Sequence, residues 1–120
     1  ASTEFAVACA TLEAVRAIQA PAVVTYTRSG FTARVISSRR PPVPILAVTD
    51  TETVRRQLAM VWGVLPVLCA DAIADEPMWE VARAELLRRG LAASGDRVVV
   101  TAGVPFHVRG TTNMVRIRTL

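Results

Sequence analysis

Residues 22–34 read Ala22-Val23-Val24-Thr25-Tyr26-Thr27-Arg28-Ser29-Gly30-Phe31-Thr32-Ala33-Arg34, and this stretch decides the fold. Ala22 to Tyr26 is a short run with valines at both alternating positions, the pattern of a strand buried on both faces. Thr27-Arg28-Ser29-Gly30 is a hydroxyl-rich turn. A helix is predicted from about Phe31 to Arg40, where Pro41-Pro42 stops it. A doubly buried strand that turns directly into a helix is half of a βαβ unit, so a parallel sheet covered by helices is expected.

Upstream, Phe5, Ala8, Cys9, Leu12, Val15 and Ile18 recur at helical spacing, predicting a helix over 3–19. Downstream, Pro44–Val48 is a second strand. Thr49 and Glu52 have the spacing of a capping box that opens a third helix. Val54, Leu58 and Val61 form its buried side and Gly63 its end. Val64–Leu68 is a third strand. Pro66 has no N–H to donate there, which places that strand at a sheet edge. Asp75-Glu76-Pro77 opens a fourth helix, with Gly90 as its cap. A fourth strand follows from Arg97 to Thr101, then a loop and a last strand near Asn113–Thr119. That last strand follows no helix, so it cannot cross over in parallel and should pair antiparallel. Val115, Ile117 and Thr119 share one of its faces and Arg116 and Arg118 the other, the alternation of a strand with one wet or partner-facing side.

The length of 120 residues suits one domain, spanning 1–120. Hydrophobic residues make up 52% of the chain and aromatics only 5%, so the core rests on alanine and valine. No apolar run is long enough for a membrane span and no export signal is visible, so a soluble, cytoplasmic protein without a membrane partner is expected. All 14 basic residues are arginine, and the net charge is +4. The pairs Arg39-Arg40, Arg55-Arg56 and Arg88-Arg89 lie in or at the ends of predicted helices. There they read as solvated faces and charges at helix C-termini. No dense basic patch with interleaved aromatics forms, which argues against a nucleic-acid partner. Cys9 and Cys69 read as small buried hydrophobes, and His107 is the only histidine, so no zinc spacing exists.

The turn Thr27–Thr32 is the strongest functional candidate. A helix start presents free N–H groups and the positive end of the helix dipole. Gly30 lets backbone approach closely, and Thr27, Ser29 and Thr32 add neutral donors. These are the parts of a phosphate cradle at the carboxyl end of a strand. The residues alone also fit a plain helix start, with Ser29 as N-cap and Gly30 as turn residue. Arg109, in the loop before the last strand, reads either as a donor fork for a second phosphate or carboxylate or as an exposed hairpin arginine. Trp62 reads as core.

Four segments together resemble the C-terminal domain of pyruvate kinases. Thr27-Arg28-Ser29-Gly30-Phe31-Thr32-Ala33 matches T-x-S-G-x-S/T-A. Arg40-Pro41-Pro42-Val43-Pro44-Ile45-Leu46-Ala47-Val48-Thr49 is similar to R-P-x-x-P-I-x-A-V-T. Trp62-Gly63-Val64-Leu65-Pro66-Val67 is similar to W-G-V-x-P-V. Gly95-Asp96-Arg97-Val98-Val99-Val100-Thr101-Ala102-Gly103-Val104-Pro105, followed by Gly110-Thr111-Thr112-Asn113, resembles G-D-x-V-V-V-T-A-G-x-P and G-T-T-N.

The resemblance implies a three-layer α/β/α sandwich with a mixed five-stranded sheet, order 3-2-1-4-5, the last strand antiparallel. It implies an allosteric and assembly domain of an enzyme that passes phosphate from phosphoenolpyruvate to ADP in glycolysis. That chemistry belongs to a barrel domain using magnesium and potassium, so this chain is expected to be inert alone and to hold no cofactor itself. An effector's phosphate is implied at Thr27, Arg28, Ser29, Gly30, Phe31 and Thr32, with His107, Arg109 and Gly110 in the effector loop. Members that bind fructose 1,6-bisphosphate place a Trp and an Arg near the start of the fourth helix, which singles out Trp79 and Arg83. The segment 71–80 is shorter here than in animal members, so a sugar monophosphate or AMP stands beside the bisphosphate as effector. The implied partners are that effector, the chain's own barrel and further copies meeting through C-terminal domains in a tetramer. A free-standing phosphate-binding protein of the same fold is the alternative.

Overall fold

A computed structural model describes residues 2–70, 75–103 and 112–120. Helix α1 (Thr3–Ile18) leads to β1 (Val23–Tyr26) and α2 (Phe31–Ser38). Strand β2 (Ile45–Thr49), helix α3 (Glu52–Leu58) and strand β3 (Val64–Leu68) follow. Helix α4 (Asp75–Arg88) then leads to β4 (Arg97–Gly103) and β5 (Thr112–Thr119). The sheet order is β3-β2-β1-β4-β5, parallel except where β5 pairs antiparallel with β4. The predicted order, the edge position of the Pro66 strand and the antiparallel end are all found.

The order explains the layers. The crossovers β1→β2→β3 run one way across the sheet, and β3→β4 runs back past β1. Right-handed crossovers then put their helices on opposite faces. Ala8, Leu12 and Val15 of α1, Ala33 and Ile36 of α2 and Leu58 of α3 pack with Val23, Ile45, Ala47 and Val99 on one face. Met78, Trp79, Ala82 and Leu86 of α4 pack with Val24, Leu46, Val48, Val98 and Val100 on the other. Every residue of β1 and β2 is buried, as their unbroken apolar runs require. Two hydroxyls inside the central pair satisfy each other: Thr101 Oγ1 donates to Thr25 Oγ1 at 2.9 Å.

Several local expectations are corrected. Thr51, not Thr49, caps α3, its Oγ1 accepting from Val54 N at 3.3 Å. Thr49 belongs to β2, where its carbonyl accepts from Cys69 N at 2.8 Å. Helix α3 ends at Leu58, well before Gly63. Helix α2 ends at Ser38, so Arg39 and Arg40 leave it ahead of the prolines. Arg39 is the C-cap of α2 and both arginines are exposed at the helix end as expected, Arg39 stacking over Phe5 at 5.2 Å and Arg40 over Trp62 at 4.4 Å. Trp62 is 50% exposed, not core. It sits in the turn before β3, where its carbonyl accepts from Ser37 Oγ at 2.5 Å.

The two arginines of β5 meet the start of α4. Arg118 donates to Glu76 at 3.0 Å and to Asp75 at 3.4 Å, and lies over the Trp79 ring at 4.5 Å. Arg116 pairs with Asp75 as well. Arg118 is therefore half-buried against the start of α4, while Arg116 on the same face and Val115 and Ile117 on the other stay exposed. Among the described residues no helix is long and apolar enough to cross a membrane.

Candidate functional site

The point where the strand order reverses is the carboxyl end of β1, between β2 and β4. In open α/β sheets this is where a crevice forms and ligands bind. The turn Thr27–Gly30 leaves β1 at that point and runs straight into α2. Sequence and topology thus select the same segment.

Its geometry is internally braced. Thr27 N–H donates to the Val48 carbonyl at 2.9 Å, carrying the β1–β2 ladder one residue past the strand. Thr27 Oγ1, nearly buried, accepts from Gly30 N–H at 2.8 Å. Gly30 takes φ +86°, the left-handed region that glycine enters without cost, and it is the N-cap of α2. Ser29 is exposed and is not the N-cap. Its Oγ accepts from Phe31 N–H at 3.3 Å, the upper end of hydrogen-bond length. Thr32 is buried at the first turn, and Phe31 is half exposed beside it. A hydroxyl that accepts one bond keeps its own proton to donate. Thr27 and Ser29 therefore hold the turn closed and can each still donate an O–H to an anion.

Helix α3 supports this turn from below. A Cβ on Gly30 would meet Leu58 Cδ2 at 3.1 Å, so the turn rests on the last residue of α3. Glu52 in the first turn of α3 accepts from Arg55 Nε at 2.7 Å and from Arg56 Nε at 3.3 Å. The Arg55 hydrogen bond, with Arg56 behind it, holds the Glu52 carboxyl down to about 2.

The other proposed contacts are placed differently. Arg28 lies within the turn, and its guanidinium is 3.4 Å from Asp50 Oδ2. Sequence reasoning missed Asp50. Only the strand register reveals it: β1 pairs Tyr26 with Val48 of β2, so two residues further on Arg28 and Asp50 stand level. Trp79 is 3% exposed, its ring in the core and covered by Arg118. It is a packing residue rather than a surface waiting for a phosphate. Arg83 is half-buried one turn along α4, on the face of the sheet opposite α2. His107, Arg109 and Gly110 lie outside the described residues. Burial, and next the negative charge of Asp75, push the Tyr26 phenol well above its ordinary range, so it stays neutral within the core on the α4 side of the sheet. Among the described residues no three His, Cys, Asp or Glu side chains gather in a group that could hold a metal.

Comparison with known proteins agrees with this architecture. Residues 5–118 match the family described as "Pyruvate kinase, alpha/beta domain". The pyruvate kinase of Clostridium acetobutylicum is 38% identical over 117 residues, covering 98% of this chain and 25% of that protein. The pyruvate kinase of Lactococcus lactis is 42% identical over 114 residues, covering 95% of this chain and 22% of that protein. A crystal structure of a pyruvate kinase from Cryptosporidium parvum superposes with a TM-score of 0.90 at 28% identity, over 99% of this chain and 23% of that one. The chain thus spans about a quarter of the length of these relatives. With the fold, the motifs and the match over 5–118 in agreement, the chain belongs to the pyruvate kinase alpha/beta domain family.

Proposed function

We propose that this domain regulates and assembles a phosphoenolpyruvate-to-ADP phosphotransferase by binding a phosphorylated effector at Thr27–Thr32. The observation that carries the proposal is the turn itself: a glycine-capped helix start with flanking hydroxyls at the switch point of the sheet. Backbone N–H groups and the α2 dipole attract the phosphate, and the hydroxyls of Thr27, Ser29 and Thr32 complete its shell. Binding shifts a subunit equilibrium only as far as the effector prefers one arrangement over the other. A sugar phosphate or AMP fits the chemistry.

Calorimetric titration with fructose 1,6-bisphosphate, glucose 6-phosphate, ribose 5-phosphate and AMP tests the assignment. The double variant Ser29→Ala/Thr32→Val removes two hydroxyls at about 0.5–1.5 kcal/mol each. Affinity for the ligand that binds best should fall by roughly 5- to 100-fold. Unchanged affinity in a folded variant places the site elsewhere.

Assembly is the second part of the proposal. Among the described residues β5 pairs with β4 alone and so presents an open backbone edge, and Val115 and Ile117 are exposed. Such an edge pairs with another chain unless it is blocked. A two-fold dimer through β5 is the arrangement expected. Sedimentation should show concentration-dependent dimers, and Ile117→Lys should weaken them by at least about tenfold through a charge at the edge. A chain that stays monomeric at millimolar concentration removes the assembly role from this strand.

A further inference from the structure

The Arg28–Asp50 pair bears directly on how the turn meets an anion. The two residues leave β1 and β2 at the same level, two positions beyond the Tyr26–Val48 pairing. Their charged ends are 3.4 Å apart, and the Asp50 side chain is 19% exposed. The remaining carboxylate oxygen, Asp50 Oδ1, is buried and has no hydrogen-bond partner among the described residues. A buried carboxylate with one oxygen unsatisfied is held at a cost, and it gains hydration if it moves out into water. The guanidinium, by contrast, keeps a use for any anion that presents oxygens to it.

We infer that Asp50 is a built-in competitor anion, occupying the Arg28 guanidinium and thereby holding down the affinity of the turn for phosphate ligands. This rests on the reading of Thr27–Thr32 as the effector's phosphate site. An incoming phosphate brings up to two negative charges to a turn where the Arg28 guanidinium already faces the Asp50 carboxylate. It must either bind against the Asp50 carboxylate or displace it from Arg28. Both routes weaken binding relative to a turn with a neutral residue at 50. The effect is a threshold: the site fills only when effector is abundant.

Two consequences separate this role from a purely structural one. With Asp50 present, Arg28→Ala should lower phosphate affinity by a smaller factor than it does in the Asp50→Asn background, since the guanidinium is bonded to Asp50 in the one and to the phosphate in the other. With Asp50→Asn, a nearly isosteric neutral, affinity should rise by about 3- to 30-fold, the scale of one partly buried charge pair. Adding Arg28→Ala to Asp50→Asn should then abolish that gain, so the two substitutions are strongly non-additive. Asp50→Glu keeps the competing charge and should keep the low affinity.

The experiment is calorimetric titration of the 120-residue chain and these four variants with inorganic phosphate and with fructose 1,6-bisphosphate. Ligand-free melting is recorded alongside, and Asp50→Ser serves as a second neutral replacement if Asp50→Asn folds poorly. Tighter binding in the neutral variants, lost on adding Arg28→Ala, is the expected result. If the wild-type chain binds through Thr27–Thr32 but Asp50→Asn leaves the affinity unchanged, the competitor role is overturned and the site stands. Weaker binding in Asp50→Asn overturns it too, because Asp50 would then be a ligand contact. If neither the wild type nor a neutral variant binds either probe, the phosphate-site reading falls and takes this inference with it.

Discussion

Replacing Trp79 by alanine is expected to destabilise the domain by about 3–5 kcal/mol, the cost of emptying a large aromatic site in a packed core. The ring is almost fully buried among Met78, Ala82 and the α4-facing side of the sheet, and Arg118 closes its outer surface at 4.5 Å. Truncation removes both the packing and the stacking partner of Arg118. A domain of this size has on the order of 5–15 kcal/mol in all, so the loss is a large share of it. Thermal unfolding should shift down by on the order of 10–20 °C. The molecules that remain folded at low temperature should bind phosphate ligands as the wild type does. A variant with near-normal melting and lost effector binding would instead return Trp79 to the ligand site.

Gly30→Ala should give the second large effect, about 1–3 kcal/mol, through two separable causes. At φ +86° an L side chain pays the left-handed penalty of roughly 1–2 kcal/mol. The added Cβ also sits 3.1 Å from Leu58 Cδ2, which must shift at the end of α3. Gly95→Ala is the internal control: its φ is +92° but nothing lies within 4 Å of the new Cβ, so only the backbone penalty applies. Chemical denaturation of both variants should show Gly30→Ala to be the more damaging, with weakened phosphate binding in that variant alone. Equal losses would mean that Leu58 does not brace the turn.

The parts legible in the sequence were those set by local pattern. The unbroken apolar runs of β1 and β2 marked doubly buried strands, and Pro66 marked an edge, because each signal acts within a few residues. The start of α3 was displaced because two hydroxyl residues compete there. The ladder to the segment after β3 claims Thr49, leaving Thr51 as the first residue free to cap. Period-two alternation in β5 separated Arg116 and Arg118 from Val115 and Ile117. It could not say which face α4 would cover, since Asp75 and Glu76 lie about forty residues away in sequence. Trp62 was misplaced for a related reason. Its surroundings depend on Arg40, released from α2 by the prolines and stacked on the indole. Of the site, the turn Thr27–Thr32 was legible from its hydroxyls and glycine, whereas the Arg28–Asp50 pair needed the register between two strands.

A phosphorylated effector is proposed to dock on the turn between β1 and α2. Amide chemical-shift mapping by NMR, with fructose 1,6-bisphosphate and AMP titrated into the labelled chain, addresses it most directly. Saturable shifts centred on the amides of Ser29, Gly30, Phe31 and Thr32 are expected, with smaller ones at Asp50 and at Leu58 beneath the turn. Saturable shifts confined to another part of the sheet, or none at ligand concentrations well into the millimolar range, would contradict it.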